Sequence, residues 1–187
     1  MQNTIIYLIG FAGTGKYTIA KEICALSCAR LVDNHLINNP VLSLIHADGM
    51  APLPESVWDK IRAIRQVVLE VIRDISPPEY NFVFTNELLD GSNEDQKLFS
   101  EIVELAARRN STLIPIRLLC NEEELCKRIQ SSGRAERWKD INADHARHKI
   151  RTHTILSIDH PTLLNLDVSE LSAIQAAEAI LTHIKRH

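Results

Sequence analysis

Residues 7–23, YLIGFAGTGKYTIAKEI, constrain the fold more than any other stretch of the chain. An apolar run leads into Gly10, Gly13 and Gly15, then Lys16, then Ile19, Ile23 and Leu26 at helical spacing. The run itself, TIIYLI over residues 4–9, is continuous and rich in β-branched side chains. That is the pattern of a strand buried on both faces of a parallel sheet. Gly10, Gly15 and Lys16 match G-x-x-x-x-G-K. Glycines let the backbone turn tightly and aim several N–H groups at one anion. The helix that follows adds its positive end, and a lysine at this place reaches the β- and γ-phosphates of a nucleotide as a compact cation. The spacing therefore predicts a strand, a phosphate-cradling loop built from Gly10, Ala12, Gly13, Thr14, Gly15, Lys16, Tyr17 and Thr18, and a helix over 16–30.

The rest of the chain repeats the alternation. RLVD at 30–33 reads as a second strand, and 34–54 as irregular with one short helix around 38–46. A helix is expected over 55–75, with Trp58, Ile61, Ile64, Val68, Val71 and Ile75 on its buried stripe. Strands at 81–86 and 112–120 flank a helix at 93–109. Pro115 removes a ladder donor from the fourth strand, so firm pairing is expected from Ile116. A helix at 121–132, a partly helical basic segment, a strand at 162–167 and a final helix capped by Ser169 complete the pattern. Five strands alternating with helices predict an α/β domain: a parallel sheet with helices on both faces and right-handed crossovers.

The chain of 187 residues is expected to form a single domain. Its longest apolar runs are too short to span a bilayer, and the N-terminus MQNTIIYLIG lacks a basic stretch and a cleavage site. A cytoplasmic protein without membrane association is expected. Four cysteines without a C-x-x-C pair read as reduced, mostly buried thiols, with Cys24 and Cys28 facing the core. The net charge of -3 argues against general nucleic-acid attraction. Residues 127–151, however, hold eight basic against three acidic residues, a local net of +5 that leaves the remainder at -8. Such a patch on an acidic protein suits a local polyanion, such as a nucleotide's phosphates.

GTGKYT, with its threonine two places after the lysine, resembles the adenylate-kinase pattern, and the whole layout resembles the small P-loop kinases of the nucleoside-monophosphate-kinase and shikimate-kinase type. The resemblance implies a three-layer P-loop fold with a five-stranded sheet of order 2-3-1-4-5, ATP and Mg2+ as cofactors, an acceptor region over 34–78 and a lid over 128–151. It implies that Asp33, at the end of the second strand, orients or deprotonates the acceptor hydroxyl. Asn34 and His35 are candidates to touch the acceptor, and Leu53 and Trp58 to wall its pocket. It further implies that Arg128 stacks on adenine and that Arg134 and Arg137 close over the phosphates. Arg147 and Arg151 are weaker candidates for an anion contact. Residues 167–171 are where this family often encloses adenine with backbone groups.

Two departures stand out. Tyr17 replaces the hydroxyl that usually ligates magnesium, so Mg2+ is expected to be held mainly by water and phosphate, with Thr18 near it. No aspartate closes FVFTN, so Glu87 is the candidate carboxylate, acting through water. TNEL and DNH stand where shikimate kinases carry a glycine triplet and D-x-D, which disfavours shikimate as acceptor. His145 and His148 lack an evident third ligand and read as a surface pair. The expected activity is ATP-dependent phosphoryl transfer to a small-molecule acceptor, such as a hydroxylated metabolite or nucleotide, by a monomer or dimer. The competing reading is a catalytically weak nucleotide sensor or partner-binding protein, which Tyr17 and the missing aspartate favour. A GTPase switch is disfavoured because neither D-x-x-G nor N-K-x-D occurs.

Overall fold

The apolar run of β1 (Thr4–Ile9) splits between two cores because successive side chains point to opposite faces. Ile5, Tyr7 and Ile9 face one cluster, together with Phe82, Phe84, Ile102 and Leu105. Ile6 and Leu8 face the other, with Ile19, Ile23, Ile116, Ala177 and Ile180. A strand covered on both sides has no polar face to expose, which is why its sequence does not alternate. The structure, a computed structural model, describes residues 1–45, 53–130 and 143–187.

In chain order the elements are β1, α1 (Lys16–Ser27), β2 (Arg30–Asp33), α2 (Asn34–Leu42), α3 (Glu55–Glu70), β3 (Phe82–Asn86), α4 (Asn93–Arg109), β4 (Thr112–Leu119), α5 (Glu122–Ile129), α6 (Ala143–Thr152), β5 (Leu164–Asp167) and α7 (Ala173–Ile184). All strand pairs are parallel and the sheet order is β2-β3-β1-β4-β5. The chain builds β2 and β3 on one side of β1 and then crosses to the other side for β4 and β5. Strand order thus reverses about β1, and ligands of open α/β sheets bind at the carboxyl edge beside such a reversal. Helices α1 and α7 cover one face; α3 and α4 cover the other. Among the described residues no helix is long and apolar enough to cross a membrane.

Several local expectations are corrected. Helix α2 starts at Asn34 rather than near residue 38, because Asp33 caps it: the His35 N–H donates to Asp33 Oδ2 at 3.2 Å. The buried stripe of α3 is Ile61, Arg65 and Leu69, continued by Ile72. The helix widens into a π turn over Val71–Ile75, leaving Val71 exposed and Ile75 75% exposed. Trp58 is exposed too. Arg65 belongs to the buried stripe because its Nε donates to Glu101 Oε2 at 3.1 Å, and a periodicity that scores arginine as polar misses it.

Pairing of β4 with β1 begins at Thr112, not Ile116; only the pairing with β5 starts at Ile116. Pro115 therefore precedes the point where β4 gains its second neighbour. Helix α7 is capped by Ser172, whose hydroxyl accepts from Gln175 N at 3.3 Å while Gln175 Oε1 accepts from Ser172 N at 2.9 Å. Ser169 instead donates to Asp167 Oδ1 at 2.6 Å and accepts from Asn121 N at 2.8 Å. All four cysteines are free, and Cys28, expected inside, is exposed at the left-handed C-terminus of α1. Burial raises the Cys24 thiol to about 11, which keeps it protonated near neutral pH.

Candidate functional site

The glycine loop lies where its spacing predicts, between the carboxyl end of β1 and the first turn of α1. At Gly10 the neighbouring strand comes close: a Cβ there would stand 2.8 Å from the Leu118 carbonyl oxygen. Gly13 has φ +92°, and a Cβ on it would stand 2.9 Å from Ile129 Cγ1 and 3.0 Å from Leu125 Cγ. The loop is closed internally by Thr14, whose hydroxyl and N–H both donate to the Phe11 carbonyl, at 2.9 and 3.3 Å. Gly13→Ala is expected to cost about 1–3 kcal/mol, because backbone strain and overpacking against α5 act together. Thermal melting reads this directly, and an unchanged midpoint would refute the strain.

Lys16 opens α1, and its ammonium folds back across the loop to donate to the Gly10 and Phe11 carbonyls at 2.6 and 2.8 Å. Tyr17 follows, with Lys21 Nζ 6.0 Å from its ring centroid one turn further on. Thr18 is exposed on the first turn of α1, and its hydroxyl has no hydrogen-bond partner among the described residues.

Beside the loop, the ends of β2 and β3 carry a buried polar chain that sequence reasoning found only in part. Asp33 is 3% exposed. Its Oδ1 accepts from the Thr85 hydroxyl at 2.5 Å, and that hydroxyl oxygen accepts from Asn34 N at 3.2 Å. Asn86 Nδ2 donates to Asn34 Oδ1 at 3.1 Å, while Asn86 Oδ1 accepts from the Tyr7 hydroxyl at 3.1 Å. Burial pushes the Tyr7 hydroxyl well above its ordinary value, only partly opposed by the Arg65 guanidinium, so it is a standing donor at neutral pH. Asn34, from the candidate acceptor region, is thereby tied to the central strand. Thr85, Asn86 and Tyr7 had no sequence signal beyond their position at a strand end or inside a core strand.

Glu87 follows β3 and turns its carboxylate back to the loop, where Oε2 accepts from Ala12 N at 2.6 Å. Its other oxygen forms a close ion pair with Lys149 of α6. Burial pushes the Glu87 carboxyl up, but the ammonium groups of Lys16 and Lys149 and the Ala12 N–H outweigh burial and hold it below the usual carboxylate range. Lys149 was legible only as one charge in a basic segment.

Arg128, the candidate adenine contact, links its own helix to one loop: Nε donates to Glu124 Oε1 at 2.8 Å, and Nη2 to the Val168 and Ser169 carbonyls at 2.9 and 3.1 Å. It thus joins the end of α5 to the loop before α7. Arg147 and Arg151 both pair with Glu122 at the start of α5, at 3.3 and 2.6 Å. Arg134 and Arg137 lie outside the described residues, as does half of the expected lid, residues 131–142. Among the described residues no cluster of metal-ligating side chains occurs. The structure therefore brings together the loop, Lys16, Asp33 and Glu87 at one sheet edge and adds Lys149 to them.

No protein-family model matches the sequence. No curated protein matches it either. Solved structures share the fold. A gluconokinase from Sinorhizobium meliloti 1021 superposes with a TM-score of 0.65 at 14% identity, covering 98% of this chain and 93% of that one. A thymidylate kinase from Candida albicans gives 0.58 at 15% identity over 99% and 92% of the two chains. A shikimate kinase from Acinetobacter baumannii gives 0.52 at 16% identity over 98% and 93%. At such low identity the likeness concerns architecture: the chain has the three-layer P-loop NTPase fold, in the form found in several small-molecule and nucleotide kinases.

Proposed function

We propose that this protein transfers a phosphoryl group from ATP to a small-molecule acceptor. The observation that carries the reading is the loop itself: G-x-x-x-x-G-K is built between β1 and α1 at the reversal of strand order, with Lys16 folded across it. In this reading Lys16 and the loop amides of residues 13–18 hold the phosphates, the Ala12 N–H being taken by Glu87, and Asp33 accepts or orients the acceptor's hydroxyl proton. Thr18 and Glu87 offer oxygen donors, which suit a hard cation such as Mg2+ held through water. The cation supplies neutralisation of the β- and γ-phosphates. Arg134 and Arg137 are assigned to the transition-state charge, Arg128 to the adenine side, and 34–78 to the acceptor. Gluconokinase, thymidylate kinase and shikimate kinase share the layout, which supports phosphoryl transfer and leaves the acceptor as the variable part.

A sensor with weak catalysis is favoured by Tyr17, by the missing aspartate and by the engagement of Glu87 by Ala12 and Lys149. Calorimetry with ATP and Mg2+, followed by an ATP-consumption screen over hydroxylated metabolites and nucleosides, separates the two. The kinase reading expects binding and at least one acceptor that stimulates consumption. Binding with no stimulation across the screen supports the sensor, and no binding defeats both.

A further inference from the structure

We propose that Lys149 is a positioning residue of the nucleotide site: it neutralises Glu87, keeps that carboxylate on the Ala12 amide, and couples α6 to the phosphate loop. The inference rests on the nucleotide reading above and adds a residue to it.

The need for such a residue follows from charge. Glu87 is 19% exposed and touches the loop at Ala12 N, 2.6 Å away. A carboxylate there meets an incoming polyphosphate as a like charge in partly desolvated surroundings, where repulsion is stronger than in bulk water. At the loop itself, with Asp33 assigned to the acceptor, Lys16 and Glu87 cancel, and Lys149 tips the local balance to positive, which favours a polyphosphate.

The placement of Lys149 supports a role separate from packing. Arg147 and Arg151 are four residues apart and so share a face of α6, where both pair with Glu122. Lys149 lies two residues from each, about 200° around the helix axis, and points to a different partner. Ala146 and Ile150 pack with Leu125 and Ile129. Helix α6 is thus docked on α5 by contacts that do not involve Lys149, and the Glu87 pair is an added tie to the loop.

The test is calorimetric binding of AMP-PNP to the full chain in EDTA, so that no metal masks the charge balance. Lys149→Met is expected to weaken binding about tenfold or more, and Lys149→Arg to stay within about threefold of the wild type. The Glu87→Gln, Lys149→Met double variant lacks both charges of the pair and keeps the wild type's net balance, so it is expected to bind within about threefold of the wild type. A purely structural role of Lys149 predicts that the double variant binds as weakly as Lys149→Met alone. The proposal is overturned if Lys149→Met binds as the wild type does, or if the double variant is as weak as Lys149→Met. Those results leave the nucleotide reading intact provided the wild type binds. If the wild type itself does not bind, the nucleotide reading falls and takes the proposal with it.

Discussion

Lys16→Ala is expected to abolish acceptor-stimulated ATP consumption, lowering it by about 100-fold or more, while the protein stays folded. The size of the effect follows from what the ammonium does in each state. In the structure it donates to two loop carbonyls, at 2.6 and 2.8 Å, and lies close enough to Glu87 to lower its pKa. Those carbonyls belong to a partly exposed loop, where water can replace a lost donor, so removal costs about 1 kcal/mol of stability. Against a triphosphate, the same ammonium is the one loop-borne cation, and charge developing on the β–γ bridge has no replacement for it. Lys16→Arg is expected to rescue poorly, since a planar fork does not fit the place of a compact ammonium. Melting curves check the fold, and coupled ATP-consumption assays check the rate. An undiminished rate in a well-folded Lys16→Ala variant would remove the loop from catalysis.

The fold was legible because it rests on burial patterns that survive without tertiary context. β1 reads as two-sided because all six of its residues are buried, and the alternation of such runs with amphipathic segments leaves few topologies. The glycine loop was legible because left-handed backbone and close approach admit few residue types. What was hidden depends on partners far apart in sequence. Arg65 enters the α3 core stripe only because Glu101 receives it. The start of α2 is fixed by Asp33, whose side chain serves a strand end and a helix cap at once. The cap of α7 had a signal that a search for the first serine passes over: the S-x-x-Q of residues 172–175 is a capping box. Glu87 was found from its position at the end of β3, but its partner Lys149 lies 62 residues on. No local rule connects the two, and only the docking of α6 on α5 brings them together.

Asp33→Asn is expected to lower phosphoryl transfer by about 100-fold to 10,000-fold with little loss of stability, and this variant separates the two roles the residue can have. As a helix cap, asparagine serves about as well as aspartate. Its amide oxygen can accept from His35 N, and its amide nitrogen can donate to the Thr85 hydroxyl oxygen, in the places where Asp33 now makes bonds of 3.2 and 2.5 Å. The exchange costs about 1 kcal/mol, the net worth of one hydrogen bond. What asparagine lacks is the negative charge and the basicity that an acceptor hydroxyl needs as it attacks. Asp33→Ala removes cap and charge together and strands the Thr85 hydroxyl in a buried place, so it is expected to lose about 1–3 kcal/mol of stability as well. If Asp33 acts on the acceptor, the two variants share a deep loss of turnover but differ in melting temperature. If it only caps α2, Asp33→Asn keeps its turnover while Asp33→Ala loses turnover in step with stability, and the acceptor-side role passes to another group at the carboxyl edge.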